Sequence, residues 1–235
     1  MSDDVGYGRV AALVPAAGRG ERLGPGAPKA IREIAGTPML VYAVKALAAS
    51  PVVDVVVVAA PSDYREDVGS LLQPQEFSAE VFVVSGGESR SESVARALIA
   101  LPDDVDVVLV HDAARPLVPP EVITNVVAAV RDGHAAVVPV VPLVDTIRTV
   151  SGDASLGATV SRDSLRAVQT PQGFTRDVLQ RAHAEIDAHV TDDAGMVERL
   201  GIAVHAVDGH EDAFKVTRPL DVVLAEALIE HRRTR

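Results

Sequence analysis

Short runs rich in valine and alanine alternate with longer segments of helical periodicity over the first 141 residues. The strand-like runs cover residues 10–15, 52–60, 80–85, 105–110 and 135–141. Helical spacing lies between them, at residues 37–50, 62–72, 89–101 and 119–132, and several of these segments begin with Ser, Thr or Pro. This alternation predicts an α/β fold with a mostly parallel sheet that is covered by helices on both faces.

The alternation stops at residue 142. Residues 142–173 contain two alternating segments, DTIRTV and LRAVQT, which are joined by a polar stretch with glycine and serine. Because Val, Ile, Leu and Thr persist through this region, we expect an antiparallel arm that leaves the main sheet. Helices at about residues 175–188 and 192–200, a strand at 202–207 and a last helix from about residue 219 are predicted to follow. We expect residues 1–235 to form one domain.

Acidic residues outnumber basic ones by 33 to 22, which gives a formal net charge of −11. This balance opposes non-specific binding to nucleic acid or to anionic membranes, because both need a broad positive surface. An anionic ligand must then be met by a local cluster of Lys and Arg. The sequence has no cysteine, and neither a secretion signal nor an apolar run of membrane-spanning length is apparent. We therefore expect a cytoplasmic protein.

The first predicted strand runs into VPAAGRGERLGPGAPK, residues 14–29. A glycine-rich turn after a strand is a common phosphate site, because glycine lets backbone N–H groups approach the oxygens. Leu23 stands where a dinucleotide fingerprint has its third glycine, and the GK[ST] ending of a P-loop is missing. Arg22 and Lys29 are then free to converge on one polyphosphate, although a surface turn with solvated charges explains the same residues.

Two further motifs follow predicted strands. SGGESRSES, residues 85–93, suits either a nucleoside contact by backbone groups or ordinary punctuation between a strand and a helix. In VLVHDAARPLVPP, residues 108–120, Asp112 lies at the end where α/β sheets bind ligands, and one carboxylate near a polyphosphate suits Mg²⁺. Arg115 either pairs with Asp112 or clamps an anion. His111 is expected to be a packed neighbour rather than a metal ligand.

Taken together, AAGRGERLGPGAPK, GGESRSES, HDAARP, QTPQGF, TDDAG and FKVTRPLD closely resemble the 2-C-methyl-D-erythritol 4-phosphate cytidylyltransferases of the non-mevalonate isoprenoid pathway. The resemblance runs from about residue 10 to residue 230. It implies a Rossmann-like sheet of the nucleotide-diphospho-sugar transferase type, with a β-arm at about residues 142–165 that crosses to a partner. The expected assembly is a homodimer whose active sites are shared between subunits.

The same resemblance assigns roles to individual residues. Those assigned to CTP are Ala16, Ala17, Gly18, Gly87, Glu88, Arg90 and Ser93. Those assigned to the methylerythritol phosphate are Arg115, Thr146, Arg162, Thr170, Thr191 and Lys215. Arg22, Lys29, Arg162 and Lys215 match the catalytic residues, and Asp112 matches the acid associated with Mg²⁺. Taken singly, Arg162, Thr170, residues 191–193 and Lys215 are equally explained as surface ion pairs or helix caps.

The implied reaction is direct nucleotidyl transfer, in which the acceptor's phosphate oxygen attacks the α-phosphorus of CTP and pyrophosphate leaves. Such a nucleophile is already an anion, so the reaction needs no serine, cysteine or general base. Three alternatives stay open at this point. They are a ribitol 5-phosphate cytidylyltransferase or another sugar-phosphate nucleotidyltransferase, a nucleotide-binding regulator without turnover, and a dinucleotide-dependent oxidoreductase, which the incomplete fingerprint disfavours.

Overall fold

A computed structural model of the chain describes residues 8–17, 31–152, 154–186 and 192–234. The strands are β1 (Arg9–Pro15), β2 (Glu33–Ile34), β3 (Thr37–Pro38), β4 (Val55–Ala60), β5 (Glu80–Ser85), β6 (Val105–Val110), β7 (Ala136–Pro142), β8 (Ile147–Val150), β9 (Leu156–Val160), β10 (Arg166–Val168), β11 (Gln172–Thr175) and β12 (His205–Asp208). The α-helices are α1 (Met39–Ala48), α2 (Arg65–Leu72), α3 (Arg90–Ile99), α4 (Pro120–Arg131), α5 (Arg176–Glu185), α6 (Asp193–Arg199) and α7 (Pro219–Arg233).

The main sheet is mostly parallel, as the alternating pattern predicts. Strands β5, β4, β1 and β6 are neighbours in that order and run parallel. Strand β11 follows and is antiparallel to both β6 and β7. Because Val140 of β7 pairs with both Val168 and Asp208, β10 and β12 lie on opposite sides of β7. Along the sequence, β4 pairs with one side of β1, β5 pairs with β4, and β6 then pairs with the other side of β1.

Two hydrophobic layers cover the sheet, one on each face. In β1, Val10, Ala12 and Val14 belong to the layer that contains the buried faces of α1, α2 and α4. Ala11 and Leu13 belong to the opposite layer, with α3, α5 and α6. Every residue of β4 is buried. Burial on both faces explains why the central strands are continuous apolar runs rather than alternating ones.

Strand β11 was not predicted, because its sequence QGFT lacks a strand-like pattern. Gln172, Gly173 and Phe174 are all buried between β6 and β7. A Cβ atom on Gly173 would lie 2.5 Å from Cγ1 of Val126 in α4. The glycine therefore allows α4 to pack close to the sheet. Glycine has a low strand propensity, so this residue hides the strand from a prediction based on sequence. The first predicted helix also starts later, at Met39, since residues 37–38 pair with residues 33–34 as β3 and β2.

The arm is present, but its strands differ from those that the sequence predicts. The first alternating segment forms β8 and pairs with β9, which comes from the stretch that we interpreted as a polar connection. The second segment forms β10 and returns to the main sheet beside β7. A Cβ atom on Gly157 of β9 would lie 2.1 Å from Oγ1 of Thr149, so glycine permits this close pairing. Val144, Val150 and Leu156 project large apolar side chains into solvent.

A smaller apolar cluster packs α7 against β2 and the start of α1. Ala225 and Ile229 of α7 pack with Ile34, Met39 and Val216. The N–H group of Val216 donates to the Ala114 carbonyl at 2.8 Å, which ties the segment before α7 to the loop after β6. None of the helices within the described residues combines the length and apolar character needed to cross a membrane.

Candidate active site

The predicted site lies at the carboxyl edge of the parallel strands. Strand β1 is flanked by β4 and β6, so the chain reverses its direction of travel across the sheet between β1 and β6. In α/β sheets, ligands bind in the crevice that such a reversal leaves at the carboxyl ends. Ala16 and Ala17 follow β1 at this edge, and His111 and Asp112 follow β6. The fold thus brings Ala16 and Ala17 of the first motif to the same edge of the sheet as the third motif.

Two glycines allow the loop after β5 to pass close to this edge. The N–H group of Gly86 donates to the Ala60 carbonyl at 2.6 Å. A Cβ atom on Gly86 would lie 2.9 Å from the Cβ atom of Ala17, and one on Gly87 would lie 2.3 Å from Glu92. A larger residue at position 86 would therefore push the second motif away from Ala17, and one at position 87 would displace Glu92 within the second motif.

The start of α3 is fixed by its own side chains. Ser89 Oγ accepts a hydrogen bond from the N–H group of Glu92 at 3.0 Å, and the Glu92 carboxylate accepts one from the N–H group of Glu88 at 2.8 Å. Buried Ser93 donates to the Ser89 carbonyl and accepts from the N–H group of Gly87. These bonds shape the loop, while the predicted contacts of Gly87, Glu88 and Ser93 with CTP stay predictions.

A carboxylate between two cations forms the centre of the site. Lys215 Nζ lies 2.7 Å from Oδ2 of Asp112, and Arg90 Nε lies 3.3 Å from its Oδ1. Burial by itself disfavours a charged Asp112, but Arg90 and Lys215 outweigh it and hold the pKa of Asp112 well below its usual range. Three motifs that are distant in the sequence therefore meet as one ionised cluster.

A buried hydrogen-bond network fixes the main chain at Asp112. The Asp112 N–H group donates to Oγ1 of Thr170 at 3.1 Å, and that hydroxyl lies 3.0 Å from Nδ1 of His111. His111 Nε2 lies 3.0 Å from the Arg115 carbonyl, which only accepts, so Nε2 carries the proton and Nδ1 accepts from Thr170. Complete burial lowers the pKa of His111 to about 4, which keeps the ring neutral. Thr170 therefore orients Asp112, and its predicted contact with the substrate stays a prediction.

Arg115 hydrogen-bonds to main-chain carbonyls rather than to Asp112. Its Nη1 donates to Ala213 at 2.7 Å and its Nη2 to Val168 at 3.2 Å. Burial lowers the pKa of Arg115, although the neighbouring Asp112 acts in the opposite direction. These bonds tie the segment before Lys215 to β10. This structural role is neither of the two predicted alternatives, and the assigned substrate contact stays a prediction.

Asp193 also belongs to the cluster, whereas its sequence motif predicted only the start of a helix. Its carboxylate lies 2.5 Å from Nη1 of Arg90 and 3.0 Å from Nε2 of His183. Burial opposes a charged Asp193, but the hydrogen bond from His183 and the charge of Arg90 hold its pKa below the ordinary value. The two acids in TDD were the available signal, whereas nothing in the sequence around His183 pointed to this contact.

Arg162 and Thr146 belong to the arm region, and Arg162 lies beside Val141 and Pro142 at the carboxyl end of β7. Thr146 is exposed just before β8. Arg162 donates from Nη1 to the Val144 carbonyl and lines a cleft of about 1030 Å³ between the base of the arm and residues 209–214. Of the other predicted site residues, Gly18, Arg22, Lys29 and Thr191 lie outside the described residues.

A divalent metal would find one carboxylate here. No group of three or more His, Cys, Asp or Glu side chains with metal-binding geometry occurs within residues 8–17, 31–152, 154–186 and 192–234. Mg²⁺ often takes only one or two protein oxygens and fills its shell with water and phosphate. A carboxylate offers about four acceptor positions, of which Arg90 and Lys215 use two. Ionised Asp112 therefore suits a magnesium ion that a polyphosphate brings with it.

An ionised acid and two cations at the reversal point of a parallel sheet define an α/β protein whose site suits an anionic nucleotide. The family model described as 2-C-methyl-D-erythritol 4-phosphate cytidylyltransferase matches residues 10–231, and the chain belongs to that family. Members of this family are nucleotidyltransferases, enzymes that generally depend on a divalent metal.

Sequence relatives of the same description cover nearly the whole chain. The protein from Streptomyces avermitilis is 57% identical over an alignment of 245 positions, which covers 99% of this chain and 98% of the relative. The protein from Nocardia farcinica is 50% identical, with 99% of each chain covered. A crystal structure of the enzyme of that name from Thermus thermophilus superposes with a TM-score of 0.77 at 38% identity, covering 94% of this chain and 98% of that one.

Proposed function

We propose that this protein transfers the cytidylyl group of CTP to 2-C-methyl-D-erythritol 4-phosphate, which gives 4-diphosphocytidyl-2-C-methyl-D-erythritol and pyrophosphate. Family membership across residues 10–231 supports the substrates. The observation that carries the proposal is ionised Asp112 between Arg90 and Lys215 at the carboxyl edge of the sheet. A mere surface turn would not keep a largely buried acid charged between two cations.

The chemistry requires only that two anions be aligned and their charge be stabilised. An oxygen of the acceptor's phosphate forms a bond to the α-phosphorus of CTP, and the bond from that phosphorus to the bridging oxygen of pyrophosphate breaks. No proton has to be removed from the nucleophile. Preorganised positive groups aimed at the developing charge supply the rate enhancement. This fits a chain that has no cysteine and in which the buried side chains of His111 and Thr170 are hydrogen-bonded to each other.

Charge counting within the described cluster indicates where further cations are needed. Arg90 and Lys215 are balanced by Asp112 and Asp193, so these four groups are neutral in sum. A triphosphate therefore needs positive charge from elsewhere. We assign that role to Arg22 and Lys29, which the sequence places in the loop after β1. Lys215, held by Asp112, and Arg162 are assigned to the acceptor's phosphate.

In this proposal Asp112 is the residue that would hold Mg²⁺ when CTP binds. When bound, the ion would neutralise phosphate charge and act as a Lewis acid. The protein's own part is to keep the Asp112 carboxylate ionised and oriented, which the N–H bond to Thr170 and the pairs with Arg90 and Lys215 accomplish.

We further propose that the chain forms one domain and that the arm mediates a homodimer. Val144, Val150 and Leu156 expose apolar surface along the arm, and such patches commonly mark protein contacts. Arg162 and Thr146 lie at the base of the arm, so a shared active site would place them near a partner's substrate. We also propose a cytoplasmic location.

Pyrophosphate release tests the proposal directly. The protein is incubated with Mg²⁺, each nucleoside triphosphate in turn, and a panel of polyol phosphates. Release is expected only with CTP and 2-C-methyl-D-erythritol 4-phosphate. Release with CTP only when ribitol 5-phosphate is present would replace the acceptor, and binding of CTP without release under any combination would favour a regulator.

A further inference from the structure

Three helices meet at the buried carboxylate of Asp193. The carboxylate joins His183 of α5 to Arg90 at the start of α3, through contacts of 3.0 and 2.5 Å. The side chains of Asp193 and His183 are only 1% and 5% exposed. A charged carboxylate at that depth needs partners on both oxygens, because burial without them is costly.

The backbone at Asp193 is fixed independently of these contacts. Asp192 caps α6 by accepting from the N–H group of Gly195 at 3.1 Å. Gln172 of β11 donates to Asp192 at 2.7 Å and accepts from the N–H group of Ala194 at 3.1 Å. The main sheet therefore holds the start of α6, and only the side-chain direction of Asp193 is left for His183 and Arg90 to decide.

Asp193 and Asp112 together orient the guanidinium of Arg90. Its Nη1 binds Asp193 and its Nε binds Asp112, and two anchors fix the plane of a rigid planar group. Within the described part of the chain, Nη2 makes no hydrogen bond, and the side chain is 31% exposed. One edge of the guanidinium thus stays available at the carboxyl edge of the sheet, where the nucleotide is proposed to bind.

We propose that His183 is a positioning residue for CTP binding, which acts through Asp193 on Arg90. Its Nε2–H group holds one carboxylate oxygen, so that the other oxygen meets Arg90 in the orientation that leaves Nη2 facing the nucleotide. This inference rests on the proposed function, because it takes CTP as the ligand of Arg90. It adds a residue on α5 that lies 93 positions from Arg90 in the sequence.

Two substitutions at residue 183 separate this role from simple packing. The amide nitrogen of glutamine in His183→Gln reaches about as far as Nε2, whereas that of asparagine in His183→Asn ends near the position of Nδ1. Loss of a hydrogen bond to a charged group typically weakens an interaction by tenfold or more. Calorimetric titration with CTP and Mg²⁺ should therefore show a Kd about tenfold higher for His183→Asn and within about threefold of the unsubstituted protein for His183→Gln. The KM for the acceptor should change less than about twofold in both.

A double-mutant cycle supplies the decisive readout. In the Arg90→Ala background there is no guanidinium to position, so adding His183→Asn should leave the Kd for CTP unchanged. The matched control is Arg181→Ala, which breaks an exposed pair with Glu185 on the same helix and should alter nothing. An equal rise in Kd in both backgrounds, no rise in His183→Asn, or failure of both residue-183 variants to fold would overturn the inference.

The unsubstituted protein separates failure of this inference from failure of the proposed function. If it binds CTP but transfers nothing to the acceptor, the proposed function fails, while the Kd values of the variants still decide the role of His183. If it does not bind CTP, both fail. If it is active and the cycle shows no coupling between His183 and Arg90, only the positioning role is lost.

Discussion

Replacing Asp112 by asparagine removes one negative charge from between two cations while keeping the shape of the side chain. The Asp112 side chain is 11% exposed, whereas Arg90 and Lys215 are 31% and 40% exposed. Removing one partner of a fully buried pair costs about 3–5 kcal/mol, and a solvent-exposed pair is worth roughly 0–1 kcal/mol. The site lies between these limits, so we expect Asp112→Asn to lower the free energy of unfolding by about 2 kcal/mol. For a chain of this size, that lowers Tm by about 4–8 °C.

Thermal unfolding followed by circular dichroism at pH 7 measures this loss. The matched control is Asp106→Asn, since Asp106 lies on β6, the strand that precedes Asp112, is exposed and accepts one hydrogen bond from Gly8 at 2.9 Å. It should change the unfolding free energy by about 0.5–1 kcal/mol. Equal midpoints for Asp112→Asn and the unsubstituted protein would refute the argument that Asp112 holds Arg90 and Lys215 in the folded state.

The stability lost in Asp112→Asn should also depend on pH, and the direction of that dependence follows from the pKa of Asp112. The pKa of Asp112 is depressed in the folded state, so its charge stabilises the fold above the unfolded value of about 3.9 and less and less as the pH falls below it. The difference in unfolding free energy between the unsubstituted protein and Asp112→Asn should be constant from pH 8 to about pH 5 and shrink below about pH 4. A difference that grows as the pH falls would have the wrong sign.

Three further substitutions test other parts of the account. Thr170→Val should cost about 1–3 kcal/mol in urea unfolding, because it leaves the Asp112 N–H group and His111 Nδ1 unsatisfied; a stability equal to that of the parent protein would argue against the network. Lys29→Ala should lower kcat by about 10²- to 10³-fold and the affinity for CTP far less; an unchanged kcat with a raised KM would make Lys29 a ground-state clamp. Arg162→Ala should raise the KM for the acceptor and leave CTP binding intact, and an unchanged acceptor response would count against a shared site at the arm.

Sequence patterns predicted the parallel half of the sheet well, because strands such as β4 are buried on both faces and therefore stand out as continuous apolar runs. The patterns did not predict β11, where Gly173 leaves space for the side chain of Val126 of α4. That requirement comes from a helix packed across the sheet, and no local propensity reports it. Strand β9 of the arm was missed for a similar reason, since Gly157 permits its pairing with β8 by leaving space for Thr149.

The candidate site was predictable from the sequence only where a polar residue directly follows a buried strand or where a motif resembles that of a known family. Asp112 was identified because an acid follows a buried strand, and Lys215 because its motif resembles that of a known family. The contact of Arg90 with Asp193 joins residues 103 positions apart, and the two polar side chains carry no periodic signal. Such a pair is set by how α3 and α6 pack on one face of the sheet, which the sequence pattern does not encode locally.

Tracing the α-phosphate tests the central claim most directly. Incubation of the protein with Mg²⁺, CTP labelled at the α-phosphate and 2-C-methyl-D-erythritol 4-phosphate should move the label into a nucleoside diphosphate ester, in a one-to-one ratio with unlabelled pyrophosphate. Without the acceptor, pyrophosphate should not exchange into CTP. Label released as CMP, label retained on the protein, or exchange in the absence of the acceptor would contradict direct cytidylyl transfer to the acceptor's phosphate.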